Sequence, residues 1–315
     1  MNPANEDCDL LARAAAWSGE VGDYAALARE HGLDFATAAL YTRIARHEEN
    51  VRFLASTTHG VKPVVNRIAI VPGAFHREYK STGADGARFA AIVRSMGLEA
   101  DVLPTAAFGR TAENARIILD WLAAQTQPVA LVSLSKGTTD LKYALTLPEA
   151  ATAFANVPAW LSFSGLFHGT PLIDWLRRQR LRHLAVRALL WWRGHPRSTL
   201  GDLRHAHAVV AIPPHLRVVH VCAFPLRRHL AHEWAPRAYG RLSPLGPNDG
   251  GGILLSDALR FPGIVCPIWA ADHYLAPRWD ITPSLTAIIA AALAPRHATA
   301  SASQPSTPPA SKSSA

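Results

Sequence analysis

Cysteine is scarce in this chain. Cys8, Cys222 and Cys266 are all it has, so three thiols cannot all pair, and Cys222 and Cys266 fall in apolar runs that read as core strands. Reduced thiols and no disulfide framework are therefore expected. No stretch of about 18 apolar residues occurs, which excludes a membrane-spanning helix. The opening MNPANEDCDLLARAAAW carries acids where a secretory leader has a basic start and a long apolar core. A cytoplasmic location is the expectation. The glycine patterns of nucleotide sites are missing as well: no G-x-G-x-x-G follows the first apolar run and no G-x-x-x-x-G-K-[ST] occurs. The segment from His229 through His232 to Glu233 matches neither H-E-x-x-H nor H-x-x-E-H, so no metal and no cofactor are expected. Lysine is rare too. Only five of the 32 basic residues are Lys, although the net charge is +8 and the isoelectric point about 9.8. The arginines spread from Arg13 to Arg296 with one dense patch between Arg177 and Arg197, and no nucleic-acid-binding motif accompanies them. This charge reads as a solvated basic surface, with no nucleic-acid partner.

What the chain does have is apolar residues, 49% of the total, enough for a sizeable core. Residues 1 to about 60 are Ala-rich with apolar positions at helical spacing, as at Phe35, Ala38, Ala39, Leu40 and Ile44, and read as a helical N-terminal extension. After Lys62 and Pro63 the pattern becomes six short apolar runs: VVNRIAIVPG, LEADVLPT, PVALVSLS, VPAWLSFSG, LRVVHVCAF and GIVCPIWAAD. Helical patterns separate them at residues 86–96, 111–125 and 137–147, the first after Asp85 as cap. Strands alternating with helices imply βαβ units and a mainly parallel, doubly wound α/β sheet over residues 61–294. Residues 295–315, rich in Ala, Ser and Pro, read as a disordered tail.

Ser135 falls where the third run meets a helix. A serine on such a strand-turn-helix elbow holds a strained backbone, and its neighbours two before and two after must be small; Ser133 and Gly137 are. The pentapeptide alone reads rather as a serine capping an ordinary helix; the strand before it and the helix after it turn the reading toward a nucleophile. An oxyanion at this site needs two backbone donors. The amide of Lys136 is one candidate, and that of Ala74 or Phe75, after the first strand, the other.

A serine hydroxyl also needs a base and a carboxylate to orient that base. Asp249, between Asn248 and three glycines, follows the fifth strand on a loop, and His273 follows the sixth. Both lie beyond strand carboxyl ends, where open α/β sheets gather functional groups. Asn-Asp-Gly is also ordinary turn chemistry, His273 is one of fifteen histidines, and Asp257 and Asp272 are rival acids.

Taken together, VSLSKG, LSFSGLFHGTPLIDW, LGPNDGG and the histidine of AADHYL resemble the lipase and esterase branch of the α/β-hydrolase superfamily over roughly residues 64–290. The resemblance implies an α/β-hydrolase fold with a helical cap at about 171–212. It also implies a triad of Ser135, Asp249 and His273 and a small-molecule or lipid-like acyl ester as substrate. Gly165, Gly169, Thr170 and Pro171 would lead into the cap. Ser133 replaces the first glycine of the usual elbow, and Pro72-Gly73 stands where many relatives have His-Gly. An acyltransferase, thioesterase or amidase would use the same triad, and a non-catalytic binding scaffold would use the same fold.

The run LIDWLRRQRLRHLAVRALLWW sets Leu181, Leu184, Ala185, Ala188, Leu189 and Trp192 on one helical face, with Arg178, Arg182 and Arg187 elsewhere. As a lid it would turn the apolar stripe toward an acyl pocket lined also by His168 and Trp175. Its basic side would suit contact with an anionic membrane surface.

Overall fold

The computed structural model describes residues 3–19, 21–55, 62–275 and 280–295, and the side chains of all these except residues 3–6. The tail expected over 295–315 falls, after its first residue, outside them.

The six apolar runs form strands β1 (Arg67–Val71), β2 (Glu99–Val102), β3 (Val129–Leu134), β4 (Ala159–Phe163), β5 (Arg217–Phe224) and β6 (Ile264–Trp269). All pair in parallel, in the order β2-β1-β3-β4-β5-β6. Because side chains alternate across a strand, one β3 feeds two cores. Val129 and Leu131 join one cluster with Trp160 and Phe224, while Ala130, Val132 and Leu134 join another with Leu161 and Val221. Burial on both faces is why these runs are nearly continuous rather than alternating. The order reverses between β1 and β3, so the loops leaving those two strands diverge and open a crevice at the carboxyl end of the sheet.

Thirteen helices are found among the described residues. Four precede the sheet: α1 (Pro3–Ala16), α2 (Tyr24–His31), α3 (Leu33–Ala45) and α4 (Glu48–Ala55). They are not an appendage. Leu27, Phe35 and Leu40 share a core with Trp160 and Phe224, Tyr41 packs edge-on against Phe224 and Trp269, and Trp269 Nε1 donates to Asp7. Asn50 of α4 accepts the free amide of Val265 on the edge strand β6 at 3.0 Å and donates to the Ile44 carbonyl at 2.7 Å, which covers an otherwise open edge. The apolar spacing read in residues 1–60 therefore marks the face that closes one side of the sheet.

Between strands come α5 (Ala87–Ser95), α6 (Thr111–Ala123), α7 (Lys136–Ala144) and α8 (Ala150–Ala153). The backbone cap of α5 is Gly86; the Asp85 carboxylate accepts from Ala87 one residue inside it. After β4 the chain enters α9 (Pro171–Arg178), α10 (Arg180–Trp192) and α11 (Thr199–Asp202), returns to β5, and later forms α12 (Ala235–Leu242) and α13 (Thr282–Leu293).

The cap differs from its sequence reading. The single amphipathic run breaks at Gln179, whose backbone is non-helical, and the apolar stripe faces outward. Leu181 is 84% exposed, Trp191 68% and Trp192 77%. In α10 only Leu190 is buried, packed with Phe108, Leu166 and Ile173. Leu190, and not the Leu181–Leu184 stripe, meets the body of the protein.

Beneath the β3–α7 junction lies a buried ion pair. Lys136 Nζ sits 2.6 and 2.8 Å from the two Asp140 oxygens, both side chains are 1% exposed, and Asn114 donates to Asp140 at 2.8 Å. Removing one member strands a buried charge, whereas replacing both with apolar groups does not. We expect Asp140→Ala to destabilise the fold by about 3–5 kcal/mol and Lys136→Met combined with Asp140→Leu to recover most of that loss, measured by urea denaturation.

Candidate active site

Ser135 connects β3 to α7 with φ 45° and ψ −114°, a conformation that costs a non-glycine residue about 1–3 kcal/mol. Surrounding backbone holds it there. Its N–H donates to the Phe163 carbonyl at 3.1 Å, and its carbonyl accepts from Leu166 at 3.0 Å and Thr138 at 3.1 Å. Gly137 is forced: a Cβ there would lie 2.6 Å from both the Val71 and Pro72 carbonyl oxygens. Ser133 occupies the place of the usual first glycine and pays back its size with polar contacts, accepting from Trp160 Nε1 at 2.8 Å and sharing a hydrogen with Thr138 at 2.7 Å.

The other two residues reach Ser135 from separate strand ends. His273 Nε2 lies 3.0 Å from Ser135 Oγ, and His273 Nδ1 lies 2.5 Å from Asp249 Oδ2. The second Asp249 oxygen accepts the amides of Gly251, Gly252 and Ile253 at 2.9, 3.0 and 2.9 Å. Burial opposes the Asp249 charge, but His273 and these amides outweigh it and hold the carboxyl below its ordinary range. Burial likewise works against a charged His273; the adjacent Asp249 overcomes it and raises the imidazole above its ordinary value. Gly251 is again a steric requirement, since a Cβ would meet the His273 ring at 2.0 Å.

The rival acids are placed elsewhere. Asp272 accepts the amides of Ala231, His232 and Tyr274 and so braces the loop carrying His273, while Asp257 binds His205 and His207. His229 is engaged by Asp7 and the Leu226 amide, and His232 stacks on Tyr274.

For the oxyanion donors, the amide of Lys136 is in the first turn of α7, where backbone N–H groups have no intrahelical acceptor. Ala74 lines the same cavity. The Phe75 amide is not available, because it donates to the Ala107 carbonyl at 2.8 Å; the positive φ of Phe75 turns its ring onto Phe108, stacked at 4.4 Å.

A cavity of about 270 Å³ opens over Ser135 and His273, walled by Phe75, Phe89, Leu134, Phe163, Leu166 and Trp234, among others. His168, Trp175 and Trp192 do not line it. Leu166 takes the inward position of the 165–169 turn, and Gly169, at φ 73°, carries His168 around to a different hollow beside Lys142. Trp175 lies between Arg182 and Arg241, whose guanidinium carbons stand 5.6 and 4.4 Å from its ring. Trp192 projects into solvent. Sequence reasoning missed Trp234, Tyr274 and Ser164 as cavity residues. Ser164, at φ 43°, has a buried hydroxyl without a partner among the described residues; its position two past Ser162 in LSFSG was the available signal. A hollow of about 550 Å³ between α1, α2 and α3 is larger but lies away from Ser135.

No protein-family model matches the sequence, and no curated protein matches it either. Solved structures do. A metagenomic carboxyl esterase superposes with a TM-score of 0.55 at 21% identity, over 74% of this chain and 75% of its own. A Bacillus licheniformis lipase in its mature form superposes with a TM-score of 0.53 at 17% identity, over 74% of this chain and 95% of its own. The parallel sheet and these likenesses establish an α/β-hydrolase fold. No described helix is long and apolar enough to cross a membrane.

The opposed influences on His273 can be separated by one substitution. In a histidine-selective NMR titration the wild-type His273 midpoint is expected above the ordinary 6.5, and in Asp249→Asn, where burial is opposed only by the charge of Asp272, below that of wild type.

Proposed function

We propose that this protein is a serine hydrolase of carboxylic esters. The observation that carries the reading is the unbroken chain Asp249–His273–Ser135, at 2.5 and 3.0 Å, on a strained elbow beside a mostly apolar cavity. Ser135 Oγ attacks the ester carbonyl carbon as its proton passes to His273 Nε2. The amides of Lys136 and Ala74 hold the resulting oxyanion, helped by the amino-terminal end of α7. Collapse expels the alcohol, which takes the proton from His273, and leaves an acyl group on Ser135. Water then attacks that ester, giving its proton to the same imidazole, and the acid leaves with Ser135 regenerated. Asp249 keeps Nδ1 protonated and stabilises the imidazolium at each stage. Since the base must be neutral and its titration is raised, activity falls as pH drops through a midpoint above 6.5.

The cavity is at the small end for ligand sites, which favours short acyl chains. A fluorescent fluorophosphonate is expected to label wild type but neither Ser135→Ala nor His273→Ala, with kcat reduced about 10⁴-fold or more in each. Across p-nitrophenyl esters from acetate to palmitate, kcat/KM is expected to fall by about tenfold or more at the long end. Equal labelling of wild type and Ser135→Ala would remove Ser135 from its role. Added alcohols or amines distinguish hydrolysis from transfer: a hydrolase still releases mainly the free acid.

The outward stripe of α10 bears on how the ester arrives. Leu181, Leu184, Leu189, Trp191 and Trp192 are exposed, and residues 177–197 hold seven arginines and no acid. This combination supports contact with an anionic lipid surface. The protein is expected to sediment with vesicles containing phosphatidylglycerol and not with pure phosphatidylcholine, and Trp191→Ala combined with Trp192→Ala to lose the association. Equal sedimentation with both vesicle types, or with neither, would count against it.

A further inference from the structure

His205 and His207 alternate along the extended segment that leaves the cap after α11. Alternation puts both imidazoles on one side of the backbone. They converge on a single carboxylate: His205 Nε2 is 2.8 Å from Asp257 Oδ2 and His207 Nε2 is 2.9 Å from Asp257 Oδ1. The three donor atoms lie within 4.8 Å of one another. A third imidazole stands beside them. His168 is only 8% exposed, neither of its ring nitrogens has a partner among the described residues, and its ring centroid is 5.0 Å from that of His207. A buried side chain with two unsatisfied nitrogens is unusual, and its position next to two histidines and a carboxylate calls for a ligand.

We propose that His205, His207 and Asp257 bind one divalent transition-metal ion. Two imidazole nitrogens and a carboxylate oxygen suit zinc, cobalt or nickel and not magnesium or calcium, which take oxygen ligands. Arg260 now donates to His207 Nδ1 at 2.8 Å and lies 3.3 Å from its Nε2. Binding at Nε2 moves the ring proton to Nδ1, so the Arg260 side chain must swing away. None of the three ligands lines the cavity over Ser135. The site is a staple: Arg204, just before His205, bridges Thr170 at the entrance to α9, while Asp257 lies in the 3₁₀ turn Leu255–Arg260, shortly after the loop of Asp249. A metal here ties the end of the cap to the segment that carries the candidate acid. The sequence reading tested only the His229–Glu233 stretch for metal and passed over the His-x-His pair.

The test uses full-length, tag-free protein stripped with a chelator and titrated with zinc chloride against a chromogenic competitor, with bound metal counted by mass spectrometry. Wild type is expected to take up about one zinc per chain, to melt at a higher temperature with zinc present, and to give the intense visible band of tetrahedral cobalt when cobalt replaces zinc. His205→Ala combined with His207→Ala is expected to weaken binding by about 100-fold or more and to lose both the thermal shift and the cobalt band. His47→Ala, on an exposed histidine, should change none of these. Should the double variant fail to fold, Asp257→Asn, which keeps the size of the side chain and one acceptor oxygen, is expected to weaken zinc about tenfold or more. No uptake by wild type, or uptake retained by these variants, would overturn the proposal. Because the readouts are binding and melting, the outcome is independent of whether the protein hydrolyses esters.

Discussion

The close crossing of β3 and α7 over the end of β1 is the constraint on which the site depends. Ser135 can hold φ 45° only because its N–H and carbonyl are tied to Phe163, Thr138 and Leu166. The helix can start there only because Gly137 lets it lie against the Val71 and Pro72 carbonyls. The same crossing starts α7 directly after Ser135 and brings the loop after β1, with Ala74, to the wall of the cavity. The position of Ser135, the placement of both candidate oxyanion donors and one cavity wall thus follow from a single steric fit. The strain of one residue is offset by the sheet and core beneath it.

A second constraint is electrostatic. Asp249 is fully buried, and an isolated carboxylate in that position would rather take up a proton. Three successive amides and the imidazole prevent this by filling the lone-pair sites of its two oxygens. The run Gly250-Gly251-Gly252 makes such a cradle feasible: Gly250 adopts φ 77°, and Gly251 leaves room for the ring of His273. The turn chemistry that made Asn-Asp-Gly ambiguous in sequence is therefore also the chemistry of the cradle, and a carboxylate-orienting loop and a plain turn use the same residues.

Some of this was legible and some was not, for physical reasons. Strands buried on both faces leave continuous apolar runs, so each of the six strands lies inside one of the runs read from the sequence, and the junction at Ser135 was found as well. Strand ends made Asp249 and His273 candidates because a parallel sheet delivers its loops to one edge, and the family resemblance preferred Asp249 to Asp257 and Asp272. Phe75 and His168 were misplaced for a different reason. Whether an amide or a ring faces a cavity depends on one or two backbone dihedrals, here φ 56° at Phe75 and φ 73° at Gly169, and residue order does not encode these. Trp234 and Tyr274 were missed because they meet Ser135 only through tertiary packing, from segments about 100 residues or more away in the chain.

The cap marks the limit of periodicity as evidence. Apolar residues at helical spacing in α3 and in α10 look alike in sequence, yet Leu40 is fully buried and Leu181 is 84% exposed. Periodicity states that a face exists and not what it meets. The flanking charge separates the two cases. Residues 33–45 carry one acid and one base, a balance compatible with packing on a neutral sheet. Residues 177–197 carry seven arginines without a single acid, and no core accepts that many guanidinium groups without carboxylates around an apolar stripe. A stripe hemmed in this way must face outward, toward water or an anionic surface.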